Sequence, residues 1–172
     1  MIRCLKAGLF GLALAFAASP ALADGWSSTP WPSTGGDGTL HCYLGYADEP
    51  RVVMVLTSNA YVGDFRLLIG DPAFERASHG GEVTFVFPSG WRVSTPFQLV
   101  APGRFVVGVD EASFHLVLDE LETPGTLSIT AGGGSITVTV PDHLGGRIRN
   151  LRGPLPEGSP MQKPCLDQLA DG

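Results

Sequence analysis

Apolar and polar side chains alternate in short runs along most of the chain. In SITVTV (135–140), Ile136, Val138 and Val140 fall on one side of an extended backbone, and Ser135, Thr137 and Thr139 on the other. In EVTFVF (82–87), Val83, Phe85 and Phe87 share a face. A period of two marks a strand with one buried and one wet face. Eight β-rich runs recur, at 40–46, 51–57, 65–70, 82–87, 96–101, 104–110, 126–130 and 135–140, separated by Gly, Pro or Asp. TLSITAGGGSITVTV reads as a hairpin, because its glycines take positive φ without strain. Many short strands at this spacing predict a mainly β fold, an antiparallel β-sandwich or barrel of about eight strands.

Two stretches change period. EASFHLVLDELETPG places Phe114, Val117, Leu118 and Leu121 at helical spacing, with Asp110 as N-cap and Pro124-Gly125 as a stop, which favours a helix over the strand that FHLVL alone also admits. LGGRIRNL sets Leu144, Ile148 and Leu151 on one helical face. One or two short helices therefore join the strands. Before the β pattern, residues 24–38 (DGWSSTPWPSTGGDG) read as an extended lead-in, with Trp26 and Trp31 as anchors to the domain surface. Residues 39–152 form a single β-domain. Residues 153–172 read as a Pro/Gly-rich tail with no core pattern of its own.

The first residues alter the setting of all this. Arg3 and Lys6 precede an apolar run from Leu9 to Ala18, then Pro20 and Ala21-Leu22-Ala23. This is the layout of a secretory signal peptide cleaved after Ala23. The apolar run falls short of the roughly 20 residues a spanning helix needs. No later stretch is apolar enough either, so a soluble periplasmic or secreted protein without membrane insertion is expected. The chain carries a net charge of −6, and loss of Arg3 and Lys6 makes it more negative. That balance argues against nucleic acid, which requires clustered cations. Arg147, Arg149 and Arg152 are the one basic cluster. They fit either an anion- or partner-binding patch or a solvated surface.

Cleavage removes Cys4 and leaves Cys42 and Cys165. Two cysteines in an exported chain predict one disulfide. The bridge pins the tail to the first strand of the domain. Adjacent residues on a strand point to opposite faces, so His41 and Cys42 cannot form a local nucleophile–base pair.

Other chemistry finds little support in the sequence. Gly35-Gly36-Asp37-Gly38-Thr39 resembles the signature of NAD kinases and diacylglycerol kinases. Here it follows no strand and precedes no helix, and a phosphate loop depends on a helix N-terminus behind it. A turn into the first strand is expected instead. His41, His79, His115 and His143 lack zinc-motif spacing, and His79 with Glu82 makes two ligands without a third. Gly-x-Ser-x-Gly and Ser-x-x-Lys are absent from the sequence. No catalytic residue, metal or cofactor is assigned. Trp91, near Phe87 and Phe97, fits a core aromatic cluster or an exposed binding aromatic.

The layout resembles exported α-proteobacterial proteins of the invasion-associated locus B type. A signal peptide, an early cysteine in LHCYLG, a run of strands, a Leu-rich segment ending at Gly125-Thr126-Leu127, LGGRIRNLRG and the late Cys165 follow in that order. The Pro-rich tail before Cys165 departs from the layout. The resemblance implies an all-β envelope or secreted protein acting at a host or cell surface, and it transfers no catalytic residue. The expected function is a non-catalytic module that binds an envelope or host protein. The alternatives are a β-barrel carrier of an apolar ligand, lined by residues such as Phe85, Phe105 and Val107, and an exported hydrolase using His79, His115 or His143.

Overall fold

The computed structural model describes residues 25–29, 32–34, 39–58, 65–155, 157–159 and 163–170. The expected leader, Trp31 and residues 35–38, where a turn is expected, lie outside them. Strands are β1 (Trp26–Ser28), β2 (Ser33–Thr34), β3 (Leu40–Asp48), β4 (Arg51–Ser58), β5 (Phe65–Gly70), β6 (Glu82–Val86), β7 (Arg92–Pro96), β8 (Gln98–Ala101), β9 (Arg104–Val109), β10 (Gly125–Ala131) and β11 (Gly134–Val140). Helices are α1 (Glu111–Glu120), α2 (Leu144–Arg152) and α3 (Cys165–Ala170).

The chain forms two open antiparallel sheets, a mainly β sandwich with short helices and no closed barrel. The larger sheet runs β1-β3-β4-β5-β9-β8, and β2 shares the outer edge of β3 with β1. It is thus six strands wide. The smaller sheet runs β11-β10-β6-β7. Alternation explains the layering. Val53 and Val55, Phe65, Leu67 and Ile69, and Phe105 and Val107 are the buried rows of the larger sheet. Val83 and Phe85, Leu127 and Ile129, and Ile136 and Val138 are those of the smaller one. Deep between these layers and α1 lies a void of about 20 Å³, bordered by apolar side chains such as Val55, Leu67, Phe85 and Leu127. A void that size admits one water and offers it no polar partner, so it stays dry. Phe105 and Val107, expected to face a barrel cavity, are fully buried.

Helix α1 starts where the capping residue dictates. The Asp110 carboxylate accepts the Ser113 amide at 2.8 Å. Phe114, Val117, Leu118 and Leu121 are buried, and Phe114 stacks on Phe65 at a centroid distance of 4.2 Å. Helix α2 buries Leu144, Ile148 and Leu151. Helix α3 occupies the segment read as patternless tail. It buries Cys165 and Leu169, a signal too short to stand out among prolines. Cys165 is bonded to Cys42 of β3 with Cα atoms 6.0 Å apart.

The lead-in also enters the sandwich. Trp26, expected as a surface anchor, is 1% exposed and lies in the core. Its indole Nε1–H donates to the Thr139 carbonyl on the edge strand β11 at 2.7 Å. Arg51 of β4 donates to the Thr137 carbonyl at 3.0 Å. One flank of the sandwich is thereby laced shut.

Candidate functional site

The opposite flank is open. There the chain leaves the smaller sheet at Pro96 and joins the larger one at Gln98, through the buried Phe97. Strand β8 begins by pairing Gln98 with Val106, so the last residues of β9, Gly108 and Val109, extend past it. A cleft of about 210 Å³ opens between them and β7. A cavity of about 150 Å³ already holds a benzene-sized molecule. The cleft therefore has room for one aromatic ring or one branched aliphatic group.

Each wall follows from the local sequence. On β7, Val93 and Thr95 point inward with Trp91 just before them, at a spacing of two. All three are half-buried rather than buried, because no strand of the larger sheet closes over them. The turn before β7 fixes the indole. Gly90 adopts φ of 90° and donates to the Phe87 carbonyl at 2.9 Å, a conformation that favours glycine. Ser89 Oγ accepts the Trp91 amide at 3.0 Å and bonds the Glu120 carboxylate of α1. The Trp91 ring stacks on Phe87 with centroids 5.0 Å apart. Phe97, grouped with it by sequence, instead packs on Phe105 at 4.5 Å. Leu67, Phe85 and Val117 line the cleft from β5, β6 and α1. On β9, a Cβ added at Gly108 would meet nothing within 4 Å.

Asp110 and Ser113 bring the N-terminus of α1 to the rim. Hydrogen bonds from Ser113 hold the Asp110 carboxyl below its ordinary pKa. Asp110 is thus an ionised cap, committed to the helix. It is the one titratable side chain among the cleft residues, and the hydroxyl beside it is that of Ser113, bonded to the same carboxylate within the helix cap.

The other residues singled out by sequence lie elsewhere. Arg152 reaches from α2 to α1, bonding the His115 carbonyl at 3.2 Å, Asp119 at 2.5 Å and Glu122 at 2.9 Å. Burial opposes its charge, but the bonds to Asp119 and Glu122 outweigh that and raise its pKa. Arg147 donates to the Trp26 carbonyl. Arg149 is exposed on α2. The three arginines therefore do not converge. Two of them join elements, and Trp91 is the one proposed contact that faces a cleft. His41 bonds Thr39 Oγ1 at 2.5 Å, His79 is exposed, and the His115 ring packs on Phe114. Among the described residues, no three His, Cys, Asp or Glu side chains are placed to hold a metal. None of the helices described is long and apolar enough to cross a membrane.

The sequence pattern missed Val93, Thr95, Gly108 and Val109 as site residues. A short apolar spacing beside a Trp was the only signal available.

No family model, curated protein or solved structure matches this chain.

Proposed function

We propose that the protein is a non-catalytic binding module that works outside the cytoplasm after cleavage following Ala23, engaging an envelope or host protein. The observation that carries this reading is the open flank, where Trp91, Val93 and Thr95 line a preformed apolar cleft whose one carboxylate, Asp110, is taken up by the helix cap. Preformed apolar clefts with a few polar rim groups are what binding sites offer. Half-buried aromatics anchored from behind are the side chains that contribute most to protein contacts. The leader-like N-terminus and the resemblance in layout to invasion-associated locus B proteins support the setting.

A small apolar ligand in the same cleft is the second reading. The volume of about 210 Å³ favours it only for a ligand of one ring or a short branched chain. The full burial of Phe105 and Val107 weighs against a larger ligand enclosed beside them between the sheets.

Site-specific photo-crosslinking in the native envelope tests the reading. A photoreactive residue at Thr95 is expected to form a defined protein adduct that is lost on Trp91→Ala. The same probe at Arg149 is expected to form none. Adducts at Arg149 alone would shift the site to α2. Turnover of an ester, peptide or glycoside substrate that Trp91→Ala leaves intact would overturn the non-catalytic reading.

A further inference from the structure

We propose that β7 accepts an extended segment of the protein partner as a fifth strand of the smaller sheet, with one apolar side chain of that segment entering the cleft. This rests on the binding reading above and names its mode. The first support is the way backbone groups alternate along β7. Phe87 N–H donates to the Trp91 carbonyl at 2.9 Å, and Phe97 N–H donates to the Gly81 carbonyl at 3.2 Å. With Phe85 opposite Val93 and Val83 opposite Thr95, residues 91, 93, 95 and 97 direct their backbone groups to the β6 side. In an antiparallel ladder the intervening residues then face the other way. Arg92 and Ser94 therefore present two N–H donors and two carbonyls along the free edge, and Pro96 adds a carbonyl without a donor.

The second support is contrast with the other sheet edges. Natural sheets protect their edges against strand addition. Along β11, the Thr137 and Thr139 carbonyls are taken by Arg51 and Trp26. Strand β8 is broken by a register shift between Leu99 and Ala101. At the other side of the larger sheet the outermost strands, β1 and β2, are only three and two residues long, too short to seat a partner strand. Strand β7 runs in unbroken register with β6 and, among the described residues, has no neighbour on its far side.

The third support is fit. The smaller sheet has four strands against the six-strand width of the larger, so a fifth strand finds a layer to pack on. Its inward side chains would lie beside Val93 and Trp91, at the cleft. Its outward ones would lie beside Ser94 and the exposed Arg92. An acidic side chain opposite Arg92 completes a cross-strand ion pair. The occupant is therefore a short alternating segment with one large apolar residue and one acid. A second copy of the chain brings the same net charge of −6, and that repulsion disfavours it.

The test titrates the isotope-labelled protein with a capped synthetic peptide of alternating Thr and Val. The peptide carries Phe or Ala at its central inward position and Glu or Lys opposite Arg92. Binding is expected to slow exchange of the Arg92 and Ser94 amides and to shift the Trp91 indole signal. Phe should bind about tenfold tighter than Ala, and Glu about two- to fivefold tighter than Lys. Arg92→Glu should reverse the second preference. Ser94→Pro, which removes one edge donor, should abolish binding. If that variant does not fold, the charge reversal alone decides. Cleft signals that move while both amides exchange at their free rate would overturn strand addition and leave the binding reading standing. No response to any peptide, alongside retained Thr95 crosslinks, would do the same. No response together with absent crosslinks would remove both. A dimer in sedimentation that these peptides do not displace would assign the edge to a second copy instead.

Discussion

Gly132 and Gly133 turn the β10–β11 hairpin with φ of 57° and 82°. Both lie in the left-handed region that a two-residue hairpin turn requires. Only one is also packed. A Cβ at Gly132 would stand 2.5 Å from Ala77 Cα, whereas one at Gly133 would meet nothing within 4 Å. Gly133→Ala is expected to cost about 1–2 kcal/mol, the ordinary penalty for a left-handed residue with a side chain. Gly132→Ala should cost clearly more, since backbone must move to admit it. Urea unfolding of the two variants checks this, and equal losses would mean that the contact with Ala77 carries no weight. The hairpin itself was legible, because AGGGS interrupts two alternating runs. The crowding was not, because Ala77 lies far away in sequence and leaves no mark on the local pattern.

At the scale of elements, α1 ends against its own dipole. Asp119 and Glu120 occupy its last turn and Glu122 follows, where a helix C-terminus favours cations. Arg152, at the end of α2, sits between Asp119 and Glu122. By sequence, Arg152 belongs to a basic cluster that fits a binding patch or a solvated surface. Its pairing with Asp119 and Glu122 depends on how two distant helices dock, which no local pattern shows. Both acids are substantially exposed, at 60% and 40%, so the ionic part is worth about 1 kcal/mol or less. The bond to the His115 carbonyl adds roughly 1 kcal/mol. Arg152→Met is therefore expected to destabilise by about 1–2 kcal/mol and to make unfolding less salt-sensitive. Denaturant curves at low and high salt measure both effects.

Across the whole molecule, what could be read followed what is buried on one face. Ser135–Val140 and Phe65–Gly70 gave their strands away because each packs one clean apolar row. Arg92–Pro96 did not. Its inward row is Val93 and Thr95, half-buried over a cleft, and its outward row is Arg92, Ser94 and Pro96. A strand that lines an open site lacks the contrast by which strands are recognised, so the site and the unreadable strand coincide. The cysteines were plainer, since two lie beyond the expected leader and both are fully buried. Non-reducing peptide mapping is expected to recover Cys42 and Cys165 in one linked fragment, and N-terminal sequencing of the exported chain to begin at Asp24. Two free thiols would contradict the first result. Replacing both cysteines by alanine should cost about 4–5 kcal/mol on the loop-entropy account. The bond spans a sequence separation of 123, and most surface turns of the sandwich fall inside that span. A protease that severs one of them makes two polypeptides but not two particles. Each piece keeps the other tethered at high effective concentration, so a nicked molecule can close its sheets again. The bridge thus converts a chain break from a loss of the protein into a repairable wound.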